Sequence, residues 1–324
     1  MLRTIIAAGL MLASGAAAAF DLQGHRGARG LAPENTLPGF RAALALGVAT
    51  LELDVGLTAD GVLVVHHDSR LNPDTTRGPD GAWITTRPAL HGLDAAALAA
   101  YDVGRLRPGS DYARNFPDQV PADGARIPPL DAVFALVRTP EAAHVRLNIE
   151  TKLSPRDADG PAPALFAERL AAAIRAAGLA DRVSVQSFDW RTLSALRRIA
   201  PEIARVCLTA ERPRFNTIGR GQPGPSPWTD GRDVDEVGGS VPRLVAAAGC
   251  ATWSPHFDDL TSETVREAQG LGLKVIPWTV NDAAAMERVI DLGADGLITD
   301  YPDRARKVMA ARGMALPPPV AVGR

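Results

Sequence analysis

The chain has 324 residues, 46% of them hydrophobic and 22% charged, enough to bury one large core or two modest ones. Its formal net charge of −2 argues against an electrostatic nucleic-acid binder, because phosphate-backbone affinity needs clustered Lys and Arg. Only Cys207 and Cys250 are present, so there is no thiolate metal cluster.

The first nineteen residues read as a secretory signal peptide. Arg3 gives a positive start, residues 4–13 are mostly apolar, and Ala17-Ala18-Ala19 before Phe20 is a small-residue cleavage site. The apolar run is shorter than the roughly 20 residues that span a bilayer, and no cysteine near the cleavage site offers a lipid attachment. The expectation is a soluble exported protein, periplasmic or secreted, in a compartment that permits disulfides. Cys207 and Cys250 are nevertheless expected to be two free, buried thiols. The first falls late in one strand and the second at the start of the next parallel one, further apart than the ~7 Å bridging limit.

After Phe20, short β-branched runs alternate with alanine- and leucine-rich helical segments, the rhythm of a parallel sheet. Strand candidates run over 22–25, 50–55, 62–66, 145–150, 183–188, 203–208, 251–254, 274–280 and 296–299, one more than an eight-stranded barrel needs. Residues 56–61 are too few for a crossover helix, and Thr58-Ala59-Asp60-Gly61 reads as a hairpin turn. Folding back there sets 62–66 antiparallel to 50–55 and brings His67 roughly opposite Glu52. Helices are expected over 38–46, 130–137, 162–177, 191–199, 241–248, 262–271, 283–292 and 302–312. The expected architecture is a (β/α)8 TIM barrel, one domain over 20–315, with a hairpin after its second strand. Two stretches break the repeat: an insertion at about 72–129, with one helical patch at 95–101, and a long loop at about 212–239. Both emerge at the C-terminal face, where barrel enzymes build their sites. The tail 316–324, which contains PPP, is expected to be disordered.

Polar clusters fall at the C-terminal ends of the candidate strands. Glu52 and Asp54 share one side of their strand, and Glu150 ends its neighbour. Acids facing a barrel interior are costly without a cation or a base between them, and hard oxygen donors suit Ca²⁺ or Mg²⁺. His25 and His67 are the proton-transfer candidates. His66 has the opposite parity to His67 and is given a structural role, and Asp300 is read as the cap of the last helix. Arg26 and Lys152 bring positive charge to the same rim and suit a phosphate oxyanion. Two histidines, a divalent ion and a basic pair point to phosphoryl transfer rather than sugar hydrolysis, for which paired acids suffice.

The blocks HRGARGLAPENTLPGF from His25, ELDVGLTADGVLVVHHD from Glu52, NIETK from Asn148, QSF from Gln186, WTVN from Trp278 and GADGLITDYPD from Gly293 together resemble the glycerophosphodiester phosphodiesterase family. The resemblance spans almost the whole mature chain. It implies a metal-dependent barrel hydrolase that releases glycerol 3-phosphate and an alcohol from a small-molecule diester. His25 and His67 would be catalytic, Glu52, Asp54 and Glu150 would hold one divalent cation, and Arg26 and Lys152 would grip phosphate. Phe188 and Trp278 would flank the glycerol, and PENT at Pro33 would be a structural turn in which Asn35 or Thr36 caps the following helix. Two alternatives stay open at this point: a phospholipase C- or D-like enzyme acting on intact phospholipids, and an exported protein that binds phosphodiesters without cleaving them.

Overall fold

The computed structural model describes residues 19–157 and 159–321. The segment read as a signal peptide lies outside the described residues up to residue 18, as do the last three residues of the tail. β1 (Asp21–Gly24) leads to α1 (Leu37–Leu46), and β2 (Thr50–Leu57) turns back into β3 (Leu63–Val65). The insertion carries α2 (Ala95–Leu98) and α3 (Asp111–Asn115) before α4 (Leu130–Val137) and β4 (Arg146–Thr151). α5 (Pro163–Ala177), β5 (Val183–Ser187), α6 (Trp190–Ile199) and β6 (Ala204–Thr209) continue the alternation. A small hairpin, β7 (Glu211–Arg212) and β8 (Phe215–Asn216), precedes α7 (Val241–Ala248) and β9 (Thr252–Pro255). The chain ends with α8 (Ser262–Gly270), β10 (Lys274–Val275), α9 (Ala283–Asp291), β11 (Gly296–Thr299) and α10 (Pro302–Ala311).

The parallel strands lie in the order β10-β9-β6-β5-β4-β2-β1-β11. The two ends meet through backbone bonds of 2.9 Å from Asp295 N to Val275 O and from Ile298 N to Pro277 O. This is the expected (β/α)8 barrel, with β3 paired antiparallel to β2 at Val65 and Val55. Strand parity sorts the side chains. Leu51, Leu53 and Val55 of β2 and Leu147 and Ile149 of β4 pack outward against the helices, each such burial contributing about 1.5–3 kcal/mol. Glu52, Asp54, Asn148 and Glu150 therefore occupy the inward positions.

The loop after β1 owes its shape to Gly27, at φ +88, where a Cβ would stand 2.8 Å from a backbone carbon of Gly39. Thr36 caps α1, its Oγ1 accepting from Gly39 N at 3.1 Å, with Pro38 in the first turn. The insertion is packed rather than loose. Leu71, Leu90, Leu98, Val103 and Ile127 form a second apolar cluster with Val64 of β3. The later long loop buries Ile218, Trp228 and Val234 behind the β7–β8 hairpin.

Two expectations are corrected. Cys207 and Cys250 are joined in a disulfide, with Cα atoms 5.9 Å apart. Cys250 does not begin a strand: it follows the left-handed Gly249 that closes α7, and its N–H donates to Val245 O at 3.4 Å. That turn holds Cys250 within bridging distance of Cys207 on β6. The tail is also ordered through residue 321, because Val320 is buried and its N–H donates to Leu44 O at 2.9 Å. Arg306 clamps the proline segment by donating to Pro317 O at 2.6 Å and Gly47 O at 2.7 Å.

Candidate active site

The barrel register sets Asp54 beside Glu150, and with Glu52 the three offer carboxylate oxygens that all lie within 4.8 Å of one another. Each acid is held in place. Arg26 adopts φ +51, which aims its backbone N–H at Glu52 Oε2 (2.8 Å), and Gln186 Nε2 donates to Glu52 Oε1 (2.7 Å). Asn35, at φ +53, grips Asp54 twice: its Nδ2 donates to Oδ2 at 2.8 Å and its Oδ1 accepts from Asp54 N at 3.2 Å. Lys152 Nζ lies 2.7 Å from Glu150 Oε1 and 3.6 Å from Asp54 Oδ1. Arg26 Nε lies 3.3 Å from Asp54 Oδ2, and its Nη1 donates to Glu34 Oε1 at 2.8 Å.

Three buried acids at this spacing cannot all ionise cheaply. Burial, with repulsion from Asp54 and Glu150, pushes Glu52 well above the usual carboxylate range. Burial also raises Glu150, to about 7, against the pull of Lys152. Burial opposes the ionisation of Asp54 too, but the positive charges around it, Lys152 foremost, hold its carboxyl well below the usual range. Asp54 Oδ1 is buried with no hydrogen-bond partner. An orphaned carboxylate oxygen beside two acids with raised pKa is a donor set that fits a hard divalent cation, with Glu52, Asp54 and Glu150 as its ligands.

Both histidines face a cavity of about 190 Å³, which Arg26, Lys152, Phe188 and Trp278 also line. His25 Nδ1 lies 2.6 Å from Asp300 Oδ1, which leaves Nε2 turned inward, 4.0 Å from Glu52 Oε2. Burial outweighs the attraction of Asp300 and lowers His25 to about 4. His67 Nδ1 lies 2.6 Å from Asp68 Oδ1; its side chain is 31% exposed, and desolvation together with Arg26 and Lys152 drives its pKa well below the usual value. Continuing the β2–β3 ladder sets His67 level with Leu53, one residue from the position expected opposite Glu52. His66 is buried outside this cavity, and its backbone N–H donates to Asp54 O at 3.0 Å. Phe188 meets Trp278 edge-on at 5.2 Å, and Phe215 of the β7–β8 hairpin extends that wall at 4.9 Å from Phe188.

Asp300 does not cap α10, whose N-cap is Tyr301 without a side-chain bond. It is fully buried against His25, where it also accepts from Arg29 at 2.8 and 2.9 Å and from Asn281 Nδ2 at 2.7 Å. The sequence held a signal for this. In a closed barrel the last strand adjoins the first, and the pairing of Thr299 with Gly24 makes Asp300 and His25 the next pair. Asn35 was likewise underread, since Thr36 does the capping and Asn35 positions Asp54.

The sequence profile described as "Glycerophosphoryl diester phosphodiesterase family" matches residues 25–304. A glycerophosphodiester phosphodiesterase of Bacillus subtilis (strain 168) is 28% identical over 292 residues, covering 88% of this chain and 84% of the relative. A crystal structure of a candidate glycerophosphoryl diester phosphodiesterase from Silicibacter pomeroyi DSS-3 superposes with a TM-score of 0.81 at 36% identity, covering 92% of this chain and 95% of the other. An Oleispira antarctica phosphodiesterase, solved in complex with the product sn-glycerol-3-phosphate, shares the fold at a TM-score of 0.62 and 24% identity, covering 90% of this chain and 96% of that one. The match runs from the first candidate catalytic histidine to α10, and the chain belongs to the glycerophosphoryl diester phosphodiesterase family.

Proposed function

We propose that this enzyme hydrolyses glycerophosphodiesters to glycerol 3-phosphate and an alcohol, using one divalent cation, Ca²⁺ or Mg²⁺, held by Glu52, Asp54 and Glu150. The observation that carries this reading is a cluster of three carboxylates, two of which, Glu52 and Glu150, line one small cavity together with two histidines, each histidine tethered at Nδ1 by its own carboxylate. Such tethering fixes a tautomer with Nε2 free to exchange a proton with substrate. One histidine takes the proton of the glycerol hydroxyl next to the phosphate, and the other delivers a proton to the departing alcohol oxygen. The hydroxyl oxygen bonds to phosphorus as the bond to the alcohol breaks, and water then opens the resulting cyclic phosphate; the intramolecular attack draws on proximity. A bound divalent cation supplies Lewis acidity towards a phosphate oxygen and lowers the pKa of the attacking hydroxyl. Arg26 and Lys152 direct N–H groups at the phosphate, and Phe188 and Trp278 exclude water around the glycerol carbons.

A cavity of about 190 Å³ suits a glycerol and a phosphate rather than acyl chains. On the insertion, Val120, at 69%, is the one large apolar residue that is exposed among the described residues, which weighs against an enzyme working on a phospholipid surface. The leader-like first nineteen residues and the Cys207–Cys250 bridge support an exported location, periplasmic or secreted. Product release from glycerophosphocholine, glycerophosphoethanolamine and dispersed phosphatidylcholine tests the substrate class. Glycerol 3-phosphate from the two deacylated diesters and no cleavage of the phospholipid is the expected pattern; preferential attack on the phospholipid would overturn it.

A further inference from the structure

A second cavity, of about 340 Å³, opens on the far side of His67 and Lys152, the two residues that line both spaces. Its walls come from different parts of the chain. One is Leu153, Ser154, Asp157 and Pro161, from the loop after β4; the other is Arg70, Arg87, Leu90 and His91, from the insertion. The insertion wall is fixed by backbone bonds from Leu71 N to Pro88 O (2.9 Å) and from Leu90 N to Ser69 O (2.8 Å). Arg70 Nη1 donates to the backbone O of Arg87 at 3.2 Å, which ties the Arg70 side chain to the Arg87 segment of the same wall. Arg70 has no ion pair among the described residues, and the nearest carboxylate to Arg87 is Asp68, at 3.9 Å and already bonded to His67.

Phe188 and Trp278 wall the proposed glycerol end of the small site, and His67 and Lys152 stand where that site adjoins the larger cavity. We infer that the larger cavity is the leaving-alcohol subsite, and that it selects alcohols carrying an anionic group of their own, which Arg70 and Arg87 bind. This rests on the diesterase reading and names the substrate class within it. Two guanidinium groups on one wall, Arg70 with no ion pair among the described residues and Arg87 with only the 3.9 Å contact to Asp68, present N–H donors that match a carboxylate or phosphate. Asp157 on the opposite wall, also without an ion pair among the described residues, is the competing feature and would favour a cationic head group.

Glycerophosphoserine and glycerophosphoethanolamine separate these alternatives, because both carry the ammonium group and only the first carries a carboxylate. Their kcat/KM values are measured at about 0.1 M salt on the metal-loaded enzyme and on the Arg70→Ala, Arg87→Ala double variant. The expected preference for glycerophosphoserine is about tenfold, the size of a charge-assisted hydrogen bond, collapsing towards unity in the double variant. Equal or reversed preference in the parent enzyme, or a preference the double variant retains, would overturn the subsite. Failure to cleave either compound would instead bring down the diesterase reading, and the subsite with it. Both arginines are exposed, so the substitutions leave the core intact.

Discussion

Asp300→Asn removes one negative charge from the middle of a buried four-residue network while keeping its shape. In the structure Oδ1 accepts from His25 Nδ1 (2.6 Å) and Arg29 Nε (2.8 Å), and Oδ2 accepts from Arg29 Nη2 (2.9 Å) and Asn281 Nδ2 (2.7 Å). An asparagine keeps only one acceptor oxygen. If its amide NH2 faces His25, the ring must accept at Nδ1 and carry its proton on Nε2, the reverse of the tautomer that Asp300 fixes. If it faces Arg29 and Asn281, two donors confront a third and the His25 bond becomes neutral. A charge-assisted bond contributes about 1.5–3 kcal/mol, so kcat should fall by roughly 10- to 150-fold. KM should change by less than about threefold, because Asp300 touches no substrate group. Arg29 is left buried and uncompensated, a loss of about 3–5 kcal/mol, so a thermal melt belongs beside the kinetics. Removing Asp300 also removes an influence that raises the His25 pKa, and the limb of the rate profile that His25 sets should move to lower pH. A normal kcat in a variant that melts early would make Asp300 a purely structural residue and refute this account of His25.

Three further outcomes follow from the same geometry. Glu150 is raised from 4.5 to about 7, so cation affinity should weaken below pH 7 as that carboxyl protonates. Calorimetric titration with Ca²⁺ and Mg²⁺ at pH 6, 7 and 8 reads this directly; a flat affinity would contradict it. Asn35→Ala should weaken the cation by roughly 10- to 100-fold through loss of its two bonds to Asp54, and Asn35→Gly, which relieves the positive φ, should not restore binding. Cys207→Ser with Cys250→Ser should cost about 4 kcal/mol from opening a loop of 43 residues, lowering Tm by roughly 6 °C while leaving turnover at 25 °C intact. A melting point within a degree of the parent would show that the bridge adds nothing to stability.

The barrel was legible because its signals are local and periodic. The alternation of Leu51, Leu53 and Val55 with Glu52 and Asp54 states both the strand and its two faces, and six residues between 56 and 61 leave room only for a turn. The candidate cluster was legible for the same reason, since parity and strand order bring Glu52, Asp54 and Glu150 together. What escaped depended on closure or on turns. Asp300 meets His25 only because the eighth barrel strand returns to the first, 275 residues along the chain. Cys250 reaches Cys207 only because Gly249 reverses the chain after α7. Asn35 looked like a cap beside Thr36, and its left-handed conformation, which aims it at Asp54, is not written in composition.

The central claim is that one cation and two histidines cleave a glycerophosphodiester in the small cavity. Glycerol 3-phosphate release from glycerophosphoethanolamine, followed for the parent enzyme before and after EDTA and for the folded His25→Ala and His67→Ala variants, tests it most directly. Activity should vanish with EDTA, return with Ca²⁺ or Mg²⁺, and fall by roughly 10²- to 10⁴-fold in each histidine variant. Full turnover in the chelated enzyme, or unchanged turnover without either imidazole, would contradict the account.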